Sequence, residues 1–440
     1  MFRLNMPINY GSFANATSLN LITRKLYSEL AGMMNNTKSF TITATLLNDC
    51  GIGDVNQHFD CVSIPNMGGY RFPLDSSLNS KNLVVGLVGI DEVVLGREVY
   101  KTENDWLRNK PIIEQELKKW KSNVDKVRFV HVSNQPEKDQ LIEYLKIPEE
   151  KISIIPYGVD HNLFKPISEK SSSRKKILEK FSIRDTPYLI HISERNWARK
   201  NIFRLLEAFK KAKSHGIPHK LLIVGKNDEI VYKKAKSISD TYMIGFVSES
   251  DLISLLQCAD ALVNPSLHEG FGLPMLESMA CEIPVITSNI YSPPAVVSDG
   301  GLFVDPRNTD DICNKILEIT KNENLRLDLG KNALKRSNDF SWNNTATHLL
   351  KLCKSFSDSN DYDFNDNYEK SAKRTLVTIC LSNIELKKKF LRSLIQLDFS
   401  DMIEWALNFG LTDPQTSDFL KPLETWMQEN QKIKIKTIEN

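Results

Sequence analysis

Continuous apolar runs alternate with stretches of helical spacing along most of the chain. Ser39–Leu47 (SFTITATLL), Asn82–Ile90 (NLVVGLVGI) and Val127–Val132 (VRFVHV) are apolar or β-branched runs bounded by turns. Such runs predict strands buried on both faces of a parallel sheet. Between them, Leu19–Leu30, Ile112–Asn123 and Lys138–Leu145 carry apolar residues at helical intervals. Ile152–Ile155 reads as a further strand, ending in the turn PYGVD (156–160). Strand and helix in alternation imply a parallel α/β layer.

A polar, basic stretch follows at Lys165–Lys176 (KPISEKSSSRKK), and then a second series of the same kind. Tyr188–Ile192, Lys220–Val224, Thr241–Ile244, Ala261–Asn264, Pro284–Thr287 and Leu302–Val304 read as strands. Asn201–Lys213 has a helical apolar face, and Ser248-Glu249-Ser250-Asp251 fits a capping box ahead of the helix Leu252–Cys258. A helix over Ser341–Ser355 closes this series. The pattern predicts a first α/β domain over 1–165, a second over 166–356, an acidic linker over 357–369, and a helical appendage over 370–440. The appendage is read from the helical spacing in Ala372–Leu397, Met402–Phe409 and Asp418–Gln428.

Composition narrows the function more than the fold. Hydrophobic residues make up 41% and charged residues 25% of 440, with a net charge of +2. Nothing in that balance argues for bulk capture of nucleic acid. The seven cysteines are odd in number, form no CxxC and make no zinc-spaced cluster, so a reducing, cytoplasmic setting is expected. The first residues lack a signal-peptide pattern, and no apolar run approaches the ~18 residues of a membrane span. Any membrane contact is therefore expected to be peripheral, at the cytoplasmic face.

The chemistry is concentrated in Leu267–Ser278 (LHEGFGLPMLES), which follows the strand ALVN. Two doubly wound domains leave a cleft at the carboxyl ends of their strands, and ligands bind there. Gly270 and Gly272 allow backbone N–H groups to approach a ligand closely. Pro274 suits a first helical turn, whose free N–H groups and positive dipole end attract an anion, most naturally a diphosphate. Glu269 and Glu277 flank that turn, and carboxylates accept hydrogen bonds from polyhydroxyl groups. A sugar ring and a ribose either side of a diphosphate describe a nucleotide-sugar site. His268, His131 and His191 read as structural positions.

PSLHEGFGLPMLESMACEIPVITS (265–288) resembles the signature of the retaining glycosyltransferases of group 1, the mannosyltransferase-like family with the GT-B fold. VHVSNQPE (130–137), KISIIPYGVDHNLFKP (151–166), Arg199-Lys200-Asn201 before LLEAF, Gly245-Phe246-Val247 and LFVDP (302–306) extend the likeness over about 1–355. The resemblance implies two Rossmann-like domains facing a cleft. It implies that Glu269 contacts the transferred sugar, that Glu277 binds ribose, and that Lys200 with Arg195 holds the diphosphate. Gly245, Phe246, Gly270, Phe271, Gly272 and Leu273 then line the donor site, with Gly11 in a glycine loop after the first strand. The family commonly has a His after an N-domain strand. LVGIDEVV (87–94) has Ile90 there, followed by Asp91 and Glu92.

The expected reaction moves a sugar from a nucleoside diphosphate sugar to a hydroxyl of a glycan, lipid-linked or small-molecule acceptor, with retention. No cofactor and no metal are expected, because no Asp-x-Asp pair stands beside a helix end and basic residues are present for the diphosphate. The C-terminal helices are expected to serve acceptor docking or oligomerisation. A sugar phosphorylase on the same fold, an epimerase, and a catalytically silent partner-binding subunit are the alternatives. The EGFGLP stretch disfavours the epimerase.

Overall fold

A computed structural model of the chain describes residues 2–9, 18–37, 40–47, 60–68, 70–72, 82–193, 197–226, 228–355, 376–380, 404–408 and 435–437. Two six-stranded sheets carry the architecture, and every pairing between their strands is parallel. The first contains β1 (Phe2–Asn9), β2 (Phe40–Leu47), β3 (Cys61–Gly68), β4 (Leu83–Val88), β5 (Phe129–Val132) and β6 (Ile152–Ile154). The second contains β7 (Tyr188–Ser193), β8 (Lys220–Gly225), β9 (Thr241–Gly245), β10 (Ala261–Asn264), β11 (Val285–Ser288) and β12 (Gly301–Val304). Their orders are β2-β1-β3-β4-β5-β6 and β12-β11-β10-β7-β8-β9. In each sheet the connections run outward both ways from one point, between β1 and β3 and between β7 and β10. The crevice at such a switch point is where an open α/β sheet takes its ligand.

The central strands are as apolar as two covered faces require. Leu83–Leu87 and Leu189–Ile190 are buried, as are all four residues of β10 and of β11, apart from the intermediate burial allowed at strand ends elsewhere. His131 and His191 are fully buried, and burial lowers each imidazole to about 4.

Several elements differ from the expectations. The helix expected from Ile112 begins at Glu103, capped by the Thr102 hydroxyl, and carries Pro111 inside it. The segment expected as one helix over 138–145 is an α-helix over Gln135–Gln140, capped by Asn134, followed by a π-turn over Leu141–Leu145.

The C-terminal helical reading requires correction on the residues described. Leu376–Cys380, Glu404–Asn408 and Ile435–Thr437 are strands β13, β14 and β15 of a three-stranded parallel sheet. LVTIC is an unbroken apolar and β-branched run, which favours a strand over the helical spacing seen in the longer window. The rest of 357–440, including the acidic linker, lies outside the described residues.

The chain crosses between its two halves twice. Residues 155–164 lead from the first sheet to the second, and the helix Trp342–Lys354 returns to pack on the Ser18–Thr37 helix and β3. At the crossing Val159 bridges Ser341, Thr345 Oγ1 donates to the Pro156 carbonyl at 2.7 Å, and Lys25 pairs with Asp160 at 2.7 Å. Tyr157 is fully buried and meets Phe271 edge-on, with ring centres 5.3 Å apart. Phe271 in turn meets Phe340 at 5.8 Å. This aromatic cluster ties the crossing to the loop that follows β10.

Candidate active site

The site lies at the switch point of the second sheet, in the loops after β7 and β10. Gly272 has φ +93 and stands immediately before the helix Leu273–Ala280, with Pro274 in its first turn. That left-handed backbone suits glycine and turns the chain sharply into the helix. Among the described residues, the N–H groups of Gly270, Phe271 and Gly272 donate to no protein acceptor. They are unpaired donors at the start of that helix.

Glu269 stands at the mouth of this turn but is not open to solvent, being 5% exposed. Its Oε1 accepts from Lys200 Nζ at 2.6 Å and from Ser266 Oγ at 2.6 Å, and its Oε2 accepts from Arg199 at 3.1 Å. Burial alone would raise this carboxyl. The Lys200 and Arg199 charges, with the hydrogen bonds, hold it well below the ordinary carboxylate range. A buried carboxylate with two cations is a preorganised charged cluster, dry enough for its field to be strong.

Lys200 is 7% exposed and stands against Glu269. The arginine beside it is Arg199. Arg195 lies outside the described residues, as does Gly11. Arg199 also donates to the His268 carbonyl at 2.9 Å, and its Nε stands 3.5 Å from Asp91 of the first domain. The carboxylate that follows Ile90 thus faces the cation cluster across the cleft. His268 is buried against Tyr291 and bonds Gln140 through Nε2 at 3.0 Å, a structural role.

The remaining expected residues divide by position. Glu277 lies in the helix that the Gly270–Gly272 turn opens, 9% exposed. Burial, with the Glu249 charge adding to it, pushes its carboxyl up to about 7. The side chains of Phe271 and Leu273 are buried in the core, so only their backbones face the turn. Gly245 ends β9, separated from β10 by β8 and β7, and the Phe246 side chain after it is 69% exposed.

Sequence reading did not find the residues that the first domain contributes. Asn134 Nδ2 donates to the Gly270 carbonyl at 2.9 Å, with Ser133 Oγ at 3.3 Å from the same oxygen. Glu137 accepts from the Gly89 N–H at 2.9 Å and from the Ser133 N–H and hydroxyl at 2.9 and 2.5 Å. Burial pushes the Glu137 carboxyl up to about 7 despite those bonds. Gly89, at φ +65, brings its backbone against Gly270. In sequence these residues show only a helix cap and a glycine after a strand.

Among the described residues, no three His, Cys, Asp or Glu side chains are placed to hold a metal ion. No helix among them is long and apolar enough to cross a membrane.

Residues 173–336 match the family model for glycosyl transferases group 1. The O-antigen chain mannosyltransferase B of Escherichia coli is 32% identical over 185 residues, which cover 40% of this chain and 48% of that protein. The N,N'-diacetylbacillosaminyl-diphospho-undecaprenol alpha-1,3-N-acetylgalactosaminyltransferase of Campylobacter jejuni is 27% identical over 228 residues, covering 51% and 58%. The match thus spans about half of these curated relatives. Among solved structures, the sucrose-phosphate synthase of Thermosynechococcus elongatus superposes with a TM-score of 0.62 at 17% identity, over 80% of this chain and 98% of that one. The fold is GT-B, and residues 173–336 resemble the group 1 glycosyltransferases.

Proposed function

We propose that the protein transfers a hexosyl group from a nucleoside diphosphate sugar to an acceptor hydroxyl, with retention of anomeric configuration. The observation that carries this reading is the convergence of Lys200 and Arg199 on Glu269 beside the free N–H groups of Gly270–Gly272. As the glycosidic bond breaks, negative charge grows on the departing diphosphate. Lys200, Arg199 and the helix end are donors already in place for that charge. The acceptor hydroxyl attacks the anomeric carbon from the face the diphosphate leaves, and its proton passes to a phosphate oxygen. Glu269 accepts from sugar hydroxyls and Glu277 from ribose, while the exposed Phe246 ring offers a face to the base. The acceptor is a glycan, a lipid-linked saccharide or a small molecule, and any membrane contact is peripheral.

A thermal-shift screen against UDP-, GDP-, ADP- and TDP-hexoses tests donor binding, since a native-state ligand raises the melting temperature. NMR of the product then reads the anomeric configuration. No stabilisation by any donor, or an inverted product, would contradict the reading.

Transfer is expected to persist in excess chelator with metal-stripped protein, because fixed cations are available for the diphosphate. Loss of turnover restored by Mg²⁺ or Mn²⁺ would refute this.

Glu277 gives the site a pH dependence. The ionised carboxylate is the better acceptor for ribose hydroxyls, so nucleotide affinity should weaken as pH falls through about 7. Removing the carboxylate in Glu277→Ala should cost about 1–3 kcal/mol of binding. Because the folded carboxyl titrates above its ordinary 4.5, the unliganded protein loses stability as pH rises from that value to about 7. Glu277→Gln should therefore melt higher than the parent above pH 7 and lose that advantage below 4.5. Calorimetric titration and melting across this range check both signs.

A further inference from the structure

Gly270 sits where the two domains touch. A Cβ on it would fall 2.7 Å from Glu137 Oε1 and 2.8 Å from the Gly89 nitrogen. Its carbonyl accepts from Asn134 Nδ2, whose amide also donates to Ser133 Oγ at 2.8 Å, and both side chains are buried and come from the first domain. One residue before Glu269, His268 is held by Gln140 of the same domain. Thus the residues on either side of Glu269 are held from across the cleft, while Glu269 is held by Lys200 and Arg199 of its own domain.

In a trans peptide the C=O and N–H point in opposite directions. Turning the Gly270 oxygen toward Asn134 therefore turns the Phe271 N–H away from it. That N–H has no acceptor among the described residues, and the Phe271 ring is anchored between Tyr157 and Phe340. Glycine at 270 leaves its side of the peptide free to rotate, and a rotated peptide would offer a carbonyl oxygen where a donor is wanted. We propose that Asn134, assisted by Ser133, is a positioning residue that fixes the Gly270–Phe271 peptide so that its N–H faces the diphosphate. The inference rests on the donor-site reading above. It makes the anion site complete only when the first domain is in place, so that domain closure and donor recognition are one event.

Asn134 also caps the helix Gln135–Gln140, its Oδ1 accepting from the Glu137 N–H at 3.1 Å, and the same oxygen accepts from Ser292 Oγ at 3.1 Å. A capping role and a positioning role separate in two variants. Asn134→Ser keeps a good capping oxygen and loses the amide donor, whereas Asn134→Ala loses both. Each is compared with the parent in melting temperature, in titration with UDP, GDP and ADP, and in turnover of the corresponding hexose donors. Asn134→Ser should melt like the parent yet lose about tenfold in donor kcat/KM, matching Asn134→Ala in that loss. Ser133→Ala should show a smaller loss in the same direction. Parental kinetics in Asn134→Ser, with only Asn134→Ala impaired, would overturn the positioning role alone. A parent protein that binds none of the nucleotides would overturn the donor-site reading and this proposal with it.

Discussion

Replacing Lys200 with methionine should lower transfer by about a hundredfold or more, the scale on which a preorganised donor to a developing charge acts. Two effects combine. The departing diphosphate loses its ammonium partner, and Glu269 keeps only Arg199 and neutral donors in a buried setting. Methionine preserves the stem's volume, so the fold should survive. The second effect should appear as a Glu269 carboxyl that titrates closer to the ordinary range, because the nearer of its two cations is gone. Turnover at saturating donor, with circular dichroism as the control for folding, measures the outcome. A folded variant within tenfold of the parent would remove Lys200 from the chemistry.

Gly158→Ala is expected to have the largest effect on stability. A Cβ there would stand 2.1 Å from the Trp342 nitrogen and 2.3 Å from the Ser341 carbonyl carbon. Both are backbone atoms, so no flexible side chain can yield. Gly158 is not among the residues with positive φ, and its requirement is space rather than conformation. Relief needs the two crossing strands to separate at the Val159–Ser341 bridge, which disturbs the packing of Tyr157 and Trp342. Overpacking of this kind costs about 3 kcal/mol. The expected result is a fall of several degrees in melting temperature, and a melt equal to the parent's would show that the crossing is looser than its contacts imply.

Legibility in the sequence followed the range of the interactions. The second domain was readable because its strands are short apolar runs and its helices carry apolar stripes or capping boxes, as at Ser248–Asp251. The Gly270–Gly272 turn was readable because glycine, proline and acid at fixed spacing have local causes. β3 was not, since CVSIPNMG contains proline, asparagine and glycine, and its strand is imposed by β1 and β4, with a register shift between Ile64 and Met67. Arg199 was legible only as part of the Arg199-Lys200-Asn201 motif and not as the inward-facing arginine, because which side of the loop turns inward depends on the loop's path. Asn134, Ser133 and Glu137 were invisible as site residues: their partner at Gly270 is 136 residues from Asn134. The C-terminal strands were misread because apolar spacing in a long window matched a helix while LVTIC, taken alone, is a strand sequence.

The return of the Trp342–Lys354 helix to the first sheet has a consequence for synthesis on the ribosome. Translation finishes the first sheet at about residue 154, but the helix that covers Ser18–Thr37 and β3 is not made for nearly two hundred residues more. Until then the apolar surface awaiting Trp342, Ala346, Leu349, Leu350 and Cys353 has no cover on the nascent chain. The second sheet must emerge and fold while its predecessor is still incomplete. A nascent chain arrested before residue 342 would thus display a sticky first half beside a nearly finished second half, and is the species on which a chaperone would be expected to act.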